Sequence, residues 1–285
     1  MSGREAGTLY PAPGKLNLFL HVVGRIGQGE HAGYHELQTV FRLVELADEV
    51  RIAARADGEV RFSGPFGEEN LCVKAARALK KLAPAGAGCE IALQKNLPVG
   101  GGMGGGSSDA ATVLLVLNRL WKLGLPDSEL MRLGLALGAD VPFFLFGRNA
   151  LGEGVGERLQ ALDLAPAWYL VLVPQVSVST KEIFSDASLT RDTERLKILP
   201  FLSGLGRNDL EAVVTARYPA VASHLAWLRS RVPGARMTGS GACVFAEFKN
   251  ESEARALLSE MPGEMRGFVT RGLERHPLLE RLNTM

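Results

Sequence analysis

An α+β chain in two domains, divided near Leu164, is what the 285 residues predict. Three observations carry that expectation. With 46% hydrophobic and 22% charged residues, the chain has the composition of a folded protein and the length for two ordinary cores. Its first half opens on an alternating apolar and polar stretch, the mark of a strand, and then mixes strands with helical spacing. From Tyr169 onward the order is strand, helices, strand, helix, strand, which is that of an α/β sandwich.

From Leu16 to Val23, alternation places Leu16, Leu18, Leu20 and Val22 on one face and Asn17, Phe19, His21 and Val23 on the other, with Lys15 beside Asn17. Stretches 49–54 and 59–63 read as strands joined through Asp57-Gly58, a two-residue hairpin signal because such turns need positive φ. Asn70 is placed to cap a helix whose apolar positions are Leu71, Ala75, Leu79 and Leu82. A strand near Cys89–Leu93 leads into a glycine-rich loop. Ser107, Ser108 or Asp109 then caps a helix that is apolar nearly all round from Ala110 to Trp121, so this helix is expected to be buried. A further helix over 128–137 ends at Gly138 and delivers Asp140 in a turn. In the second domain, strands are expected at 169–173, 242–248 and 267–273, and helices at 208–217, 223–231 and 251–261.

The net charge of +1 supplies no field that would hold nucleic acid or an anionic membrane, so any phosphate site must be built locally. Cys72, Cys89 and Cys243 lie far apart, which suggests neither a disulfide framework nor a zinc site. The first residues lack the apolar core of a secretory signal, and no run has the length of a membrane span; a cytoplasmic protein is the expectation.

The most informative stretch is Pro98-Val99-Gly100-Gly101-Gly102-Met103-Gly104-Gly105-Gly106-Ser107-Ser108, which runs directly into a helix. Its glycines free the backbone to aim N–H groups at a ligand, and the helix N-terminus adds a positive dipole end. Each hydrogen bond to a charged group contributes about 1.5–3 kcal/mol, against roughly 0.3–1 kcal/mol for the dipole, so the loop amides dominate such a phosphate cradle. Gly100, Gly102 and Gly105 fit the GxGxxG pattern, but a dinucleotide fold needs a second parallel strand where this chain has another helix. A Walker-type loop is absent too. The cradle is of a third kind.

Together with Pro11-Ala12-Pro13-Gly14-Lys15-Leu16-Asn17-Leu18 and Thr238-Gly239-Ser240-Gly241-Ala242-Cys243, the loop resembles the central one of three GHMP-kinase motifs. The surrounding Gly33-Tyr34-His35-Glu36-Leu37-Gln38-Thr39, Gly138-Ala139-Asp140-Val141-Pro142-Phe143-Phe144 and Gly152-Glu153-Gly154-Val155-Gly156-Glu157 resemble the diphosphocytidyl-methylerythritol kinases within that superfamily. The resemblance implies an N-terminal domain over 1–163 like the second domain of ribosomal protein S5, and a ferredoxin-like domain over 164–285. It also implies ATP as donor, Mg²⁺ as its partner, and as acceptor the 2-hydroxyl of 4-diphosphocytidyl-2-C-methylerythritol, in the non-mevalonate route to isoprenoids.

The same resemblance assigns roles. Asp140 matches the catalytic aspartate, and an attacking alcohol needs a carboxylate to accept its proton. Lys15 matches a lysine that orients Asp140 and offsets charge on the transferring group. Asn17 resembles a substrate-binding asparagine, Tyr34 and His35 a pair that recognises cytosine by stacking and by edge hydrogen bonds, and Phe184 the aromatic on the base's other side. Asn70, Leu71 and Lys95 match positions near adenine, alongside the loop from Pro98 to Ser108. Gly239, Ser240 and Gly241 approach the phosphates or the acceptor diphosphate, or form a tight turn. The Mg²⁺ ligands are unassigned; Ser108 is one candidate, with helix capping as its other reading.

Three departures from the family pattern stand out. Gly14 replaces a common alanine and Met103 a common leucine, both small changes, and segment 27–32 replaces a shorter turn before Tyr34. Two rivals remain: another GHMP kinase, acting on mevalonate, homoserine or a sugar, and a nucleotide- or RNA-binding module without catalysis. A cytidine requirement excludes the first; the presence of both Lys15 and Asp140 and the near-zero charge argue against the second. The oligomeric state is left open.

Overall fold

A computed structural model gives the fold, and the structure describes residues 7–29, 32–197 and 206–282. Strands β1 (Thr8–Arg25) and β2 (His35–Arg55) form a long antiparallel hairpin, paired from Thr8 with Ile52 to Arg25 with His35. Strand β4 (Gly88–Gln94) pairs with the far half of β2 and β5 (Ala150–Gly154) with its near half. Strands β3 (Val60–Ser63) and β6 (Arg158–Ala161) extend the sheet to the order β3-β4-β2-β5-β6, with β1 also on β2.

The expected hairpin at Asp57-Gly58 does not form. Gly58 does turn at φ +72°, but β3 lies parallel against β4, which separates it from β2. Strict alternation in β1 also fails, because its register shifts between Pro13 and Lys15, Asn17 and Phe19, and Val22 and Gly24. A bulge adds a residue and reverses the faces beyond it. Phe19 thus packs with Leu16 and Leu18, while Leu20 lines the same cavity as Lys15 and Asn17.

Helix α1 (Leu71–Lys80) starts where Asn70 Oδ1 accepts the Cys72 N–H at 2.8 Å; Leu82 falls beyond its end and is exposed. Helix α2 (Gly105–Leu120) starts before Ser107 because Gly104, at φ +71°, turns the loop into it. Ser107, Ser108 and Asp109 therefore sit inside the first turns and are not its cap. As expected, α2 is buried all round, from Ser108 through Asn118. Each fully buried Leu or Val of this helix contributes about 1.5–3 kcal/mol. Helix α3 (Asp127–Leu137) ends at Gly138, and a short helix that the sequence reading lacks, α4 (Val141–Phe146), follows with Pro142 in its first turn. These helices pack on the first sheet around Tyr10, Val50, Ile52 and Ile91.

The second sheet, β7 (Trp168–Leu172), β8 (Arg236–Met237), β9 (Val244–Phe248) and β10 (Gly267–Arg271), is antiparallel in the order β10-β7-β9-β8. Helices α5 (Thr180–Ser185), α6 (Glu211–Arg217), α7 (Pro219–Arg229) and α8 (Glu251–Ser259) lie along this half, and a separate core forms around Leu170, Leu225 and Val244. The two halves meet through Leu16, Leu18, Phe19 and Val44 against Tyr169, Val171 and Phe245. Helix α9 (Pro277–Leu282) returns Leu278 and Leu282 to the first core. Among the described residues, no helix is long and apolar enough to cross a membrane.

Candidate active site

The glycine loop is held by the late glycine turn. The N–H groups of Ala242 and Cys243 donate to the carbonyls of Gly100 and Gly101 at 3.2 and 3.1 Å, and the side-chain amide of Asn208 fixes the carbonyls of Met237 and Gly239. Gly100, Gly102 and Gly104 all take positive φ, which glycine adopts without steric cost. At Gly102 a Cβ would lie 2.3 Å from the Thr238 carbonyl oxygen, so the approach of the two motifs requires glycine there.

Two cavities flank this loop and share Gly100, Gly102, Gly104 and Ser107 as a common wall. The first, about 310 Å³, is also lined by Lys15, Asn17, Asp140, Phe184, Gly239, Ser240 and Gly241. The second, about 340 Å³, takes in Asn70, Leu71, Lys95 and the whole stretch from Pro98 to Ser107. No side chain caps α2, whose first turn lines the second cavity, so that end of the helix is left with backbone donors. Ser108 lines neither cavity: it is fully buried, and its hydroxyl has no hydrogen-bond partner among the described residues.

Lys15 and Asp140 meet in the first cavity. Lys15 Nζ lies 3.3 Å from Asp140 Oδ2 and donates to Asn17 Oδ1 at 2.5 Å, with the Phe41 ring beneath it. Lys15 is 3% exposed while the Asp140 side chain is 35% exposed, so the cation is fixed in place and the carboxylate faces the cavity. Asn17 in turn donates to Thr39 Oγ1 at 2.8 Å, and its backbone N–H to Thr238 Oγ1 at 2.9 Å. A buried cation held by the neutral Asn17 amide oxygen on one side orients the carboxylate on the other.

Under the second cavity, Lys95 bridges two buried carboxylates, Asp109 at 2.8 Å and Asp48. Asp48 also accepts the N–H groups of Asn96 and Leu97 at 2.6 and 2.8 Å, which ties down the approach to the glycine loop. Burial pushes the Asp109 carboxyl up to about 7, against the pull of Lys95, since one cation serves two acids. Burial lowers the Lys95 ammonium, but Asp109 and Asp48 outweigh it and hold the group above its ordinary range.

The three residues matched to base recognition are only partly drawn together. Phe184 lines the first cavity and its ring centroid lies 5.1 Å from that of His35. His35 and Tyr34 lie outside the lining, Tyr34 with 63% exposure at the entrance to β2. Ile26 N–H donates to the Tyr34 carbonyl and Gly33 N–H to that of Ile26, so the pairing of β1 with β2 continues to these residues on either side of the longer 27–32 segment; Glu30 and His31 lie outside the described residues.

Several residues that build the site escape sequence reading. Asp48, Asn208 and Arg191 act through partners distant in the chain, and no periodicity marks them; Thr39 stands in a quoted motif, but its bond to Asn17 is not signalled there. Thr180, whose hydroxyl lies 2.7 Å from that of Ser240, also lines the first cavity. Phe66, exposed and at φ +67°, joins the second cavity; its place just before the Asn70 cap was the one available signal.

Residues 70–148 match the model of the GHMP kinases N terminal domain, and residues 185–267 that of the GHMP kinases C terminal. The 4-diphosphocytidyl-2-C-methyl-D-erythritol kinase of Nitrosospira multiformis is 56% identical over 275 residues, covering 94% of this chain and 92% of that relative. The enzyme of the same name from Thiobacillus denitrificans is 55% identical over 275 residues, covering 95% and 97%. A crystal structure of a 4-(cytidine 5'-diphospho)-2C-methyl-D-erythritol kinase superposes with a TM-score of 0.82 at 35% identity, covering 93% of this chain and all of that one. The mevalonate kinase of Methanococcus jannaschii, at TM-score 0.67 and 17% identity, shares the fold. Motifs, cavities, family models and relatives over nearly the whole chain agree: this chain belongs to the GHMP kinases, ATP-dependent small-molecule kinases of two-domain α+β fold, within the 4-diphosphocytidyl-2-C-methyl-D-erythritol kinase family.

Proposed function

We propose that the protein transfers the γ-phosphoryl group of ATP to the 2-hydroxyl of 4-diphosphocytidyl-2-C-methyl-D-erythritol, a step toward isoprenoid precursors. The observation that carries this reading is the shared wall: the glycine loop separates a cavity holding Lys15 and Asp140 from one lined by glycine backbone and a helix N-terminus. ATP lies in the second cavity with its phosphates along Gly100–Ser107 and its base toward Asn70, Leu71, Lys95 and Phe66. The acceptor occupies the first, with its hydroxyl at Asp140. Asp140 takes the proton, Lys15 holds the carboxylate in line and offsets phosphoryl charge, and Asn17 fixes Lys15.

Mg²⁺ fits this wall. It takes hard oxygen donors and keeps waters and phosphate oxygens in its shell, so one or two protein oxygens suffice. Ser107, common to both cavities, would hold it, in place of the buried Ser108. When bound, the ion neutralises charge on the phosphates.

The base pocket would form between Tyr34 and Phe184 with His35 at the edge, and Gly239, Ser240 and Gly241 would face the acceptor diphosphate. We read residues 1–163 as the S5-like ATP-binding half and 164–285 as ferredoxin-like; the βαββαβ sequence from β7 to β10, with its first strand between the last and the third, supports the latter. The protein is read as acting in the cytoplasm on a small molecule, without nucleic acid or membrane.

Phe66→Ala is expected to raise the ATP KM about tenfold with little change in Tm, since base stacking is worth about 1–3 kcal/mol and the ring is largely exposed. Steady-state kinetics with a thermal melt checks it. The reaction itself is tested by ADP release with ATP and Mg²⁺, comparing the cytidine acceptor with methylerythritol phosphate and with mevalonate. Turnover with the cytidine compound alone supports the proposal. Turnover with another alcohol keeps the kinase and replaces the acceptor, and no turnover with any acceptor overturns it.

A further inference from the structure

Segment 186–197 leaves α5 and crosses to the first sheet without regular structure of its own, and Arg191 is its centre. The guanidinium Nη2 donates to the carbonyls of Phe184 and Asp186 at 3.2 and 2.6 Å, and Nη1 to that of Leu189 at 2.9 Å. A further donor, Nε–H, reaches His35 Nε2 at 3.0 Å. Asp186 is held in turn by the Ser188 N–H and hydroxyl and by Arg217. One planar fork therefore fixes both the aromatic that lines the first cavity and the histidine packed on it.

The chemistry of this contact settles a proton. Arginine only donates, so His35 Nε2 must accept with its lone pair, and in the neutral ring the hydrogen then sits on Nδ1. The surroundings keep the ring neutral: burial and the neighbouring Arg25 and Arg191 cations all hold the imidazole below its ordinary range. His35 thus offers a fixed donor at Nδ1. A pyrimidine whose ring N3 is an acceptor, as in cytosine, can meet such a donor. Uracil, whose N3 carries a hydrogen, cannot.

We propose that Arg191 is a positioning residue that locks His35 in its neutral Nδ1–H tautomer and thereby sets the preference for cytosine over uracil in the acceptor. The inference rests on the base-pocket reading of His35 given above. Among the described residues, Arg191's hydrogen bonds go to His35, Phe184, Asp186 and Leu189, none of them in the loop or the Lys15–Asp140 pair, so it acts on acceptor choice and not on the phosphoryl donor.

The test uses the full-length enzyme with the cytidine acceptor and its uridine counterpart, for Arg191→Met, Arg191→Lys and His35→Ala, together with ¹⁵N NMR of the His35 ring. Arg191→Met is expected to raise the cytidine-acceptor KM about tenfold, the scale of a hydrogen bond to a charged group, with the ATP KM unchanged. It should also shrink the cytidine-to-uridine preference and convert a single Nδ1–H tautomer into a mixture. Arg191→Lys, which keeps the charge but cannot fork to the ring and the carbonyls together, should lie between, and serves if the methionine variant does not fold. If His35→Ala raises the acceptor KM while both Arg191 variants keep wild-type preference and tautomer, the Arg191 inference fails and the pocket reading stands. If His35→Ala changes nothing, both fail. A raised KM with tautomer and preference intact would reduce Arg191 to a structural brace and overturn the lock.

Discussion

Asp140→Asn is expected to lower turnover roughly 100- to 10,000-fold, the scale of general-base assistance, while ATP binds nearly as in the wild type. The two halves of that expectation come from different observations. Asp140 lines the first cavity and not the second, so the contacts proposed to hold the nucleotide along Gly100–Ser107 are untouched. The amide keeps the shape of the carboxylate but cannot take up a proton, and it removes the charge 3.3 Å from Lys15 Nζ. Lys15 keeps the Asn17 amide oxygen as an acceptor, which offsets part of the cost of removing its counter-charge, so a lowered Tm is expected but not unfolding. Single-turnover kinetics at saturating ATP, with calorimetric titration of ATP into the variant, separates the two. Wild-type-like turnover would remove Asp140 from proton transfer; lost ATP binding would mean that the two cavities are not independent.

What the sequence disclosed and what it withheld divide along the range of the interactions. The glycine loop running into a helix, the Asn70 cap and the all-round burial of α2 were legible because each is encoded within a turn or two of helix. The Asp57-Gly58 turn was legible as well, but not its destination: which strand β3 joins depends on β4, a segment nearly thirty residues later in the chain. The start of α2 was misplaced for a related reason. Serine and aspartate are good caps, yet the loop's docking on Thr238–Cys243 forces a left-handed turn at Gly104, and the helix begins there. Lys15 and Asn17 were placed on one face correctly, while the bulge after Asn17 reversed the expectation for Phe19 and Leu20. Asp48 and Arg191 were invisible, since each owes its role to partners on another element and a lone aspartate or arginine carries no pattern.

Gly102→Ala is expected to weaken ATP binding at least tenfold and to lower Tm by several degrees, because the same atom position serves both the proposed cradle and the contact between the two glycine motifs. A methyl group at this residue would stand 2.3 Å from the Thr238 carbonyl oxygen and within 3.2 Å of Gly241 N, all of it backbone that no rotamer change can clear. The residue also sits at φ +77°, where a side chain costs on the order of 1–3 kcal/mol. The loop must therefore move away from the turn, which breaks the bonds from Ala242 and Cys243 to Gly100 and Gly101 and alters both cavities at once. Gly106→Ala supplies the comparison for stability: it lies within α2, its nearest neighbour for a new Cβ is Leu71 Cδ1 at 3.6 Å, and alanine favours the helix by roughly 0.5–1 kcal/mol. Thermal melts of the two variants with and without ATP read the difference directly. If Gly102→Ala melts and binds like the wild type, the loop can dock without that close approach, and the shared wall between the cavities loses its structural basis.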